Sequence, residues 1–253
     1  MQNKSFQLLA GLALLTAVIL MNACNNKPKV KTASGANAFY NEHLIKANDF
    51  ILESDFESSV KEFNMAIEEE PKNYKAYYGL GQVYFIMGDL EDAMVNYNKA
   101  IELNRDFVLA YYGRGTVKSF KGDYAGGVDD MNQAISRKPD FLMAHFSKSS
   151  FKINQNDLDG SIESLGQSIE CNRRFENSYY YHGLCMGSKK DYKQGIADFT
   201  TALELNPERT QSLIYRGMYL VNIGQQKQAC KDFELAKIMG DTSAISYMNM
   251  YCR

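Results

Sequence analysis

Apolar positions divide the chain into three stretches. Leu8 to Met21 is an apolar run of 14 residues, residues 24–39 show no apolar periodicity, and from residue 40 onward the pattern recurs with a long fixed period. Sliding AYYGLGQVYFIMGDLEDAMVNYNKAIELN (76–104) onto AYYGRGTVKSFKGDYAGGVDDMNQAISRKP (110–139) aligns the two without a gap at an offset of 34. Extending that frame gives six units, 40–73, 74–107, 108–141, 142–175, 176–209 and 210–243, with no insertion between them. A period of this length marks a supersecondary unit that cannot bury its apolar face alone and completes its core by stacking on its neighbours.

Within the frame, small and large residues hold fixed places. Gly81, Gly115, Gly183 and Gly217 stand at position 8; Ala66, Ala100, Ala134, Ala202 and Ala236 stand at position 27, where Ser168 is the one replacement. Position 24 is always large and apolar, as Phe63, Tyr97, Met131, Leu165, Phe199 and Phe233, and Pro71, Pro139 and Pro207 share position 32. Asp89, Asp123, Asp157 and Asp191 follow Gly, Gly, Asn and Lys at mid-frame. A residue suited to a helix C-cap followed by an N-capping Asp predicts a turn between two helices in every unit.

This pattern resembles the tetratricopeptide repeat (TPR), and the resemblance covers about four fifths of the chain. It implies an all-α solenoid of six helix-turn-helix repeats over residues 40–243. Residues 244–253 carry Ile245, Met248 and Tyr251 at helical spacing and are expected to cap the last repeat. The chain departs from the family in having no Trp at position 4 and in having Ala at position 20 only as Ala93 and Ala229. Elsewhere position 20 is Gly or Ser, still small enough for close helix approach.

The family's usual Leu at position 7 is replaced by Lys46, Arg114, Lys148, His182 and Arg216, with Leu80 the exception. Position 23 mirrors it across the turn, so an antiparallel hairpin predicts ion pairs Lys46–Glu62, Arg114–Asp130, His182–Asp198 and Arg216–Asp232. Lys148 faces Ser164 and has no such partner unless Glu163 reaches it. His43 and His145 occupy position 4, a packing position, and are read as core residues.

The N-terminal run is too short for a membrane span of about 20 apolar residues and suits a secretory signal. Lys4 precedes it, and Ala23-Cys24 follows as in a bacterial lipobox. Residues 1–23 are therefore expected to be a signal peptide, Cys24 the lipidated residue, and 24–39 a flexible tether. An uncleaved anchor and an ordinary cleaved signal are the alternatives. No acidic cluster follows Cys24, so the expected location is the cell envelope, lipid-anchored in the outer membrane and facing the periplasm. In that oxidising setting Cys230 and Cys252 are expected to form a disulfide, because they lie symmetrically about Asp241 in the turn before the cap. Cys171 and Cys185 lack that symmetry and are expected to remain thiols.

Charge argues against nucleic acid as a partner. Lys plus Arg is 28 and Asp plus Glu is 30, whereas phosphate recognition needs a basic face. No HExxH, CxxC, GxSxG or phosphate-binding glycine loop occurs, so neither an enzyme nor a metal, cofactor or small-molecule substrate is expected. Gly126-Gly127 lies at the small position of a second helix and has a packing role.

The TPR resemblance implies a concave groove lined by the first helices, with position 5 contributing Tyr78, Tyr112, Phe146 and Tyr180 and position 9 contributing Gln82 and Thr116. Two readings of the rings stay open, partner anchors or packing between repeats. The clamp that holds a chaperone's C-terminal carboxylate needs Lys at position 5 and Asn at position 9; only Asn48 matches. The expected function is a non-catalytic adaptor that binds an envelope protein or an extended segment of one. The alternative is an outer-membrane assembly factor of the pilotin type.

Overall fold

The structure, a computed structural model, describes residues 41–252. The signal run, Cys24 and the tether lie outside them. Every described element is a helix: there are 13 and no strand among the described residues, and they form an all-α TPR-like solenoid of paired helices. The chain divides into two compact units, meeting in sequence between Pro139 and Asp140.

The first unit holds three antiparallel pairs: α1 (Glu42–Leu52) with α2 (Phe56–Glu69), α3 (Tyr74–Met87) with α4 (Leu90–Leu103), and α5 (Val108–Phe120) with α6 (Tyr124–Arg137). The second holds α7 (Leu142–Asn154) with α8 (Leu158–Cys171), α9 (Glu176–Ser188) with α10 (Tyr192–Leu205), α11 (Thr210–Asn222) with α12 (Gln226–Ile238), and the single helix α13 (Ser243–Tyr251). Each 34-residue frame thus contains one pair.

The turn inside each pair is built the same way six times. The residue closing the first helix takes a left-handed conformation: Ser54, Gly88, Gly122, Asn156, Lys190 and Gly224 all have positive φ. The next backbone N–H reaches back across the turn, as Asp89 N–H donates to the Tyr84 carbonyl and Asp191 N–H to that of Met186, both at 2.9 Å. This 6→1 bond satisfies a helix-end carbonyl. Four of the following Asp residues also cap the second helix; Asp123 and Asp157 each accept from a backbone N–H three residues on at 2.8 Å.

The core is a row of position-24 side chains, each at most 1% exposed. In the first unit Tyr97 is gripped from two sides. A methyl group at Gly81, in its own repeat, would lie 2.7 Å from the ring, and one at Gly113, in the next repeat, 2.6 Å. Helix backbones therefore touch the ring directly. In the second unit the following first helix or the terminal helix offers a ring instead: Phe199 stacks on Tyr215 at 18° and Phe233 on Tyr247 of the terminal helix at 20°. Gly183 and Gly217 keep position 8 open beneath them.

The terminal helix α13 folds back on α12. Cys230 and Cys252 are joined by a disulfide with Cα atoms 5.7 Å apart, and Tyr247 and Tyr251 cover Phe233. Cys185 is buried beside the Ser161 hydroxyl, and burial raises its thiol above the ordinary cysteine range.

Lys190 holds φ at +63° where three sister repeats use Gly88, Gly122 and Gly224. A left-handed non-glycine residue costs about 1–2 kcal/mol, and glycine gives part of that back as unfolded-chain entropy. Lys190→Gly is expected to raise unfolding stability by about 0.5–1 kcal/mol, read from the denaturation midpoint; a loss of stability would contradict this account of the turn.

Candidate functional site

Three of the four expected cross-helix ion pairs are present. Arg114 meets Asp130 through two guanidinium nitrogens at 3.0 and 2.6 Å, Arg216 meets Asp232 at 2.8 and 2.7 Å, and His182 Nδ1 lies 2.7 Å from Asp198. The carboxylates are buried while the Arg114 and Arg216 guanidinium groups and the His182 ring keep an edge toward solvent. The two arginines also reach backward, Arg114 to Asn98 at 2.8 Å and Arg216 to Thr200 at 3.2 Å, both at position 25 of the preceding repeat. One side chain thereby ties two repeats.

The expected pair Lys46–Glu62 is replaced. Glu62 bonds His43 Nδ1 at 2.5 Å, and Lys46 turns along its own helix to Glu42 at 2.8 Å. His43 stands one turn earlier at position 4 and presents a flat, short donor to Glu62. It is therefore an ion-pair residue rather than the packing residue expected, and the Glu62 carboxylate holds its imidazole above the usual histidine range. His145 is buried, as its position implied. Ser164, opposite Lys148, bonds back to the Gly160 carbonyl at 2.7 Å.

The position-5 rings sit at different depths. Tyr112 is 5% and Tyr180 8% exposed, whereas Tyr78 and Phe146 are half-buried. Tyr78, Phe146 and Tyr180 follow one rule: each covers the residue at position 34 of its own frame, which is the N-cap of the next repeat's first helix. Tyr78 meets Phe107 edge-on at 5.1 Å, Phe146 meets Phe175 at 5.3 Å, and Tyr180 lies under the Arg209 guanidinium at 3.7 Å. Arg209 is in turn held by Glu176 and Asn177, both at 2.6 Å. The recurrence of Phe107, Phe141 and Phe175 at one frame position was the available signal for these partners.

The position-9 residues are deeper than a groove lining requires. Gln82 and Thr116 are both buried, and the Thr116 hydroxyl donates to the Tyr112 carbonyl one turn back at 2.8 Å. Tyr112, Tyr180, Gln82 and Thr116 thus present little surface to a partner in this conformation. The half-buried rings Tyr78 and Phe146 retain some, as do Phe85 and Phe120, a T-shaped pair at 5.1 Å on neighbouring first helices. Burial raises the Tyr78 and Tyr180 hydroxyls well above the usual tyrosine range.

A family model described as the tetratricopeptide repeat matches residues 74–107. The fold of the described residues is that of a TPR-like solenoid. Solved structures of similar fold include YrrB, described as a TPR protein with an unusual peptide-binding site, at TM-score 0.64 and 19% identity, covering 74% of this chain and 97% of that one. Pseudomonas aeruginosa PilF superposes at TM-score 0.70 and 12% identity over 79% and 91% of the two chains. A tetratricopeptide repeat protein from Parabacteroides merdae matches at 0.58 and 16% over 84% and 98%. At these identities the likeness is one of fold. No curated protein matches the chain.

Tyr180 joins Phe199, Tyr215 and Arg209 in one packed cluster of the second unit. Tyr180→Ala is expected to destabilise the protein by about 3–5 kcal/mol, the range for large buried aromatics, in chemical denaturation. A loss under about 1 kcal/mol would instead mark Tyr180 as a side chain held in reserve for a partner.

Proposed function

We propose that this TPR protein is a non-catalytic adaptor, tethered in a bacterial cell envelope through lipid on Cys24, that captures a protein partner along its first helices. The observation carrying the binding reading is the graded depth of the position-5 column. Buried Tyr112 and Tyr180 stiffen the scaffold, while half-buried Tyr78 and Phe146 leave aromatic edges for contact. Rings fixed by packing lose little entropy when a partner covers them. Regularly repeated first helices suit an extended segment, and YrrB, a solved structure of similar fold, is described as having an unusual peptide-binding site.

The envelope part of the reading rests on sequence: Lys4, the apolar run to Met21, and Ala23-Cys24. The 16 residues from Cys24 to Phe39 would span up to about 50 Å when extended, enough to hold the repeats clear of headgroups.

Mass spectrometry of the native protein is expected to show an N-terminus at Cys24 carrying acyl chains; an intact Met1 or an unmodified Cys24 would overturn the anchor. Crosslinking in the native envelope is expected to trap a protein through photoreactive groups placed at Tyr78 or Phe146. Capture from second-helix positions alone would overturn binding along the first helices, and an integral outer-membrane ring as the captured species would favour the assembly-factor role.

A further inference from the structure

We infer that residues 27–40 fold back over the open face of α1 and serve as the neighbour that the first repeat otherwise lacks. The inference concerns the N-terminal edge of the array alone. It needs neither lipid on Cys24 nor a partner along the first helices.

In the internal repeats of the first unit, positions 3, 6 and 10 of the first helix are Ala76, Gly79 and Val83, then Ala110, Gly113 and Val117, and all are buried. The preceding second helix covers them, with the Phe63 ring against Gly79 and the Tyr97 ring against Gly113. Helix α1 has no second helix before it among the described residues. Its residues at the same positions are Glu42, Ile45 and Asp49, and Leu52 continues the stripe at helical spacing. Ile45 is 48% and Leu52 56% exposed. A purely solvating end would be polar throughout; this one alternates carboxylates with large aliphatics.

Charge selects the occupant. Asp49, Glu53 and Glu57 are exposed and make no ion pair among the described residues, while Lys46 is taken by Glu42 at 2.8 Å. The segment before α1, KPKVKTASGANAFY (27–40), carries Lys27, Lys29 and Lys31 and no acidic residue. A second copy's α1 would instead set carboxylates against carboxylates, which disfavours that pairing.

The point of entry and the reach agree. Asn41 is the N-cap of α1, its side chain accepting from the His43 and Leu44 N–H groups. Tyr40 is then the residue before the cap and Ile45 the fourth helical residue. An apolar pair at these two places closes as a hydrophobic staple and fixes the direction from which the chain arrives. The internal first helices lack that pair, since Lys72, Asp106, Asp140, Arg174 and Glu208 precede their caps. Helix α1 rises about 18 Å from Asn41 to Glu53. The stretch from Lys31 to Asn41 extends to about 33 Å, so Lys31 reaches Glu53 with slack. The small residues of 32–38 pass over Asp49 and Leu52 on the way. In this state only Asn25 and Asn26 separate Cys24 from the docked segment. Screening the lysines frees its full length, so ionic strength sets how far the tether reaches.

The test places a photoreactive residue at position 52 of the full chain in detergent, an exposed site about 16 Å along α1 from Asn41. After irradiation at low salt, peptide mapping is expected to find adducts on residues 30–37. Mixing isotope-labelled with unlabelled chains should show that they form within one chain. Lys27→Glu, Lys29→Glu and Lys31→Glu together should cut the yield by about tenfold, the joint effect of a few exposed ion pairs, with circular dichroism unchanged. Adding Asp49→Lys and Glu53→Lys to the same chain should restore the yield, and about 1 M salt should lower it in the parent. Adducts to a second copy or to detergent alone overturn the inference. So does a yield indifferent to the charge reversal, or one that the compensating reversal fails to restore.

Discussion

The fold depends on one steric relation, a large position-24 side chain pressed directly against helix backbone. Tyr97 shows it most fully, with Gly81 beneath it and Gly113 above, each too close to the ring to admit a methyl group. Such contacts exchange side-chain volume for close approach of helices, and close-packed interiors respond to even one added methylene. The two units meet the same requirement differently. Where the first unit sets a ring against glycine, the second stacks it on a tyrosine, as in Phe199 on Tyr215 and Phe233 on Tyr247. Position 8 stays small throughout, as Ala47, Gly81, Gly115, Ser149, Gly183 and Gly217, so a helix backbone can approach the position-24 side chain in every repeat.

Polar contacts then fix what the rings leave free. Arg114 and Arg216 pin the two helices of a repeat through buried carboxylates and reach one repeat back to position 25. The aromatic at position 5 covers the N-cap of the following repeat, either by ring on ring or, at Tyr180, under Arg209. Each repeat junction described is thus held by apolar contact, and several are also held by a directed bond.

Much of this was legible in the residues because a repeat shows each position six times. The 34-residue frame, the mid-frame turn, its Asp caps and three of the ion pairs follow from spacing alone. The exception at Glu62 arose because position 4 happens to hold His43 in the first repeat, and a competing donor one turn away is invisible to a rule that compares positions 7 and 23 only. Depth was the other missing quantity. Periodicity puts Tyr78, Tyr112, Phe146 and Tyr180 in one column, but burial depends on what the neighbouring frame contributes at position 34 and on local crowding. Gln82 and Thr116 read as polar groove residues, yet Thr116 bonds to its own helix and needs no solvent.

The most direct test of the central relation is a double-mutant cycle between Gly113→Ala and Tyr97→Leu, measured by equilibrium denaturation. On helix propensity alone Gly113→Ala would stabilise by about 1 kcal/mol. In the parent it is predicted instead to destabilise by about 1–3 kcal/mol, because the methyl group meets a ring that is 0% exposed and has no room to move. With Leu at position 97, the residue type that Leu165 supplies in the fourth repeat, the same change is predicted to be neutral or stabilising. Equal effects of Gly113→Ala in the two backgrounds would show that ring and backbone do not interact, and would contradict the account.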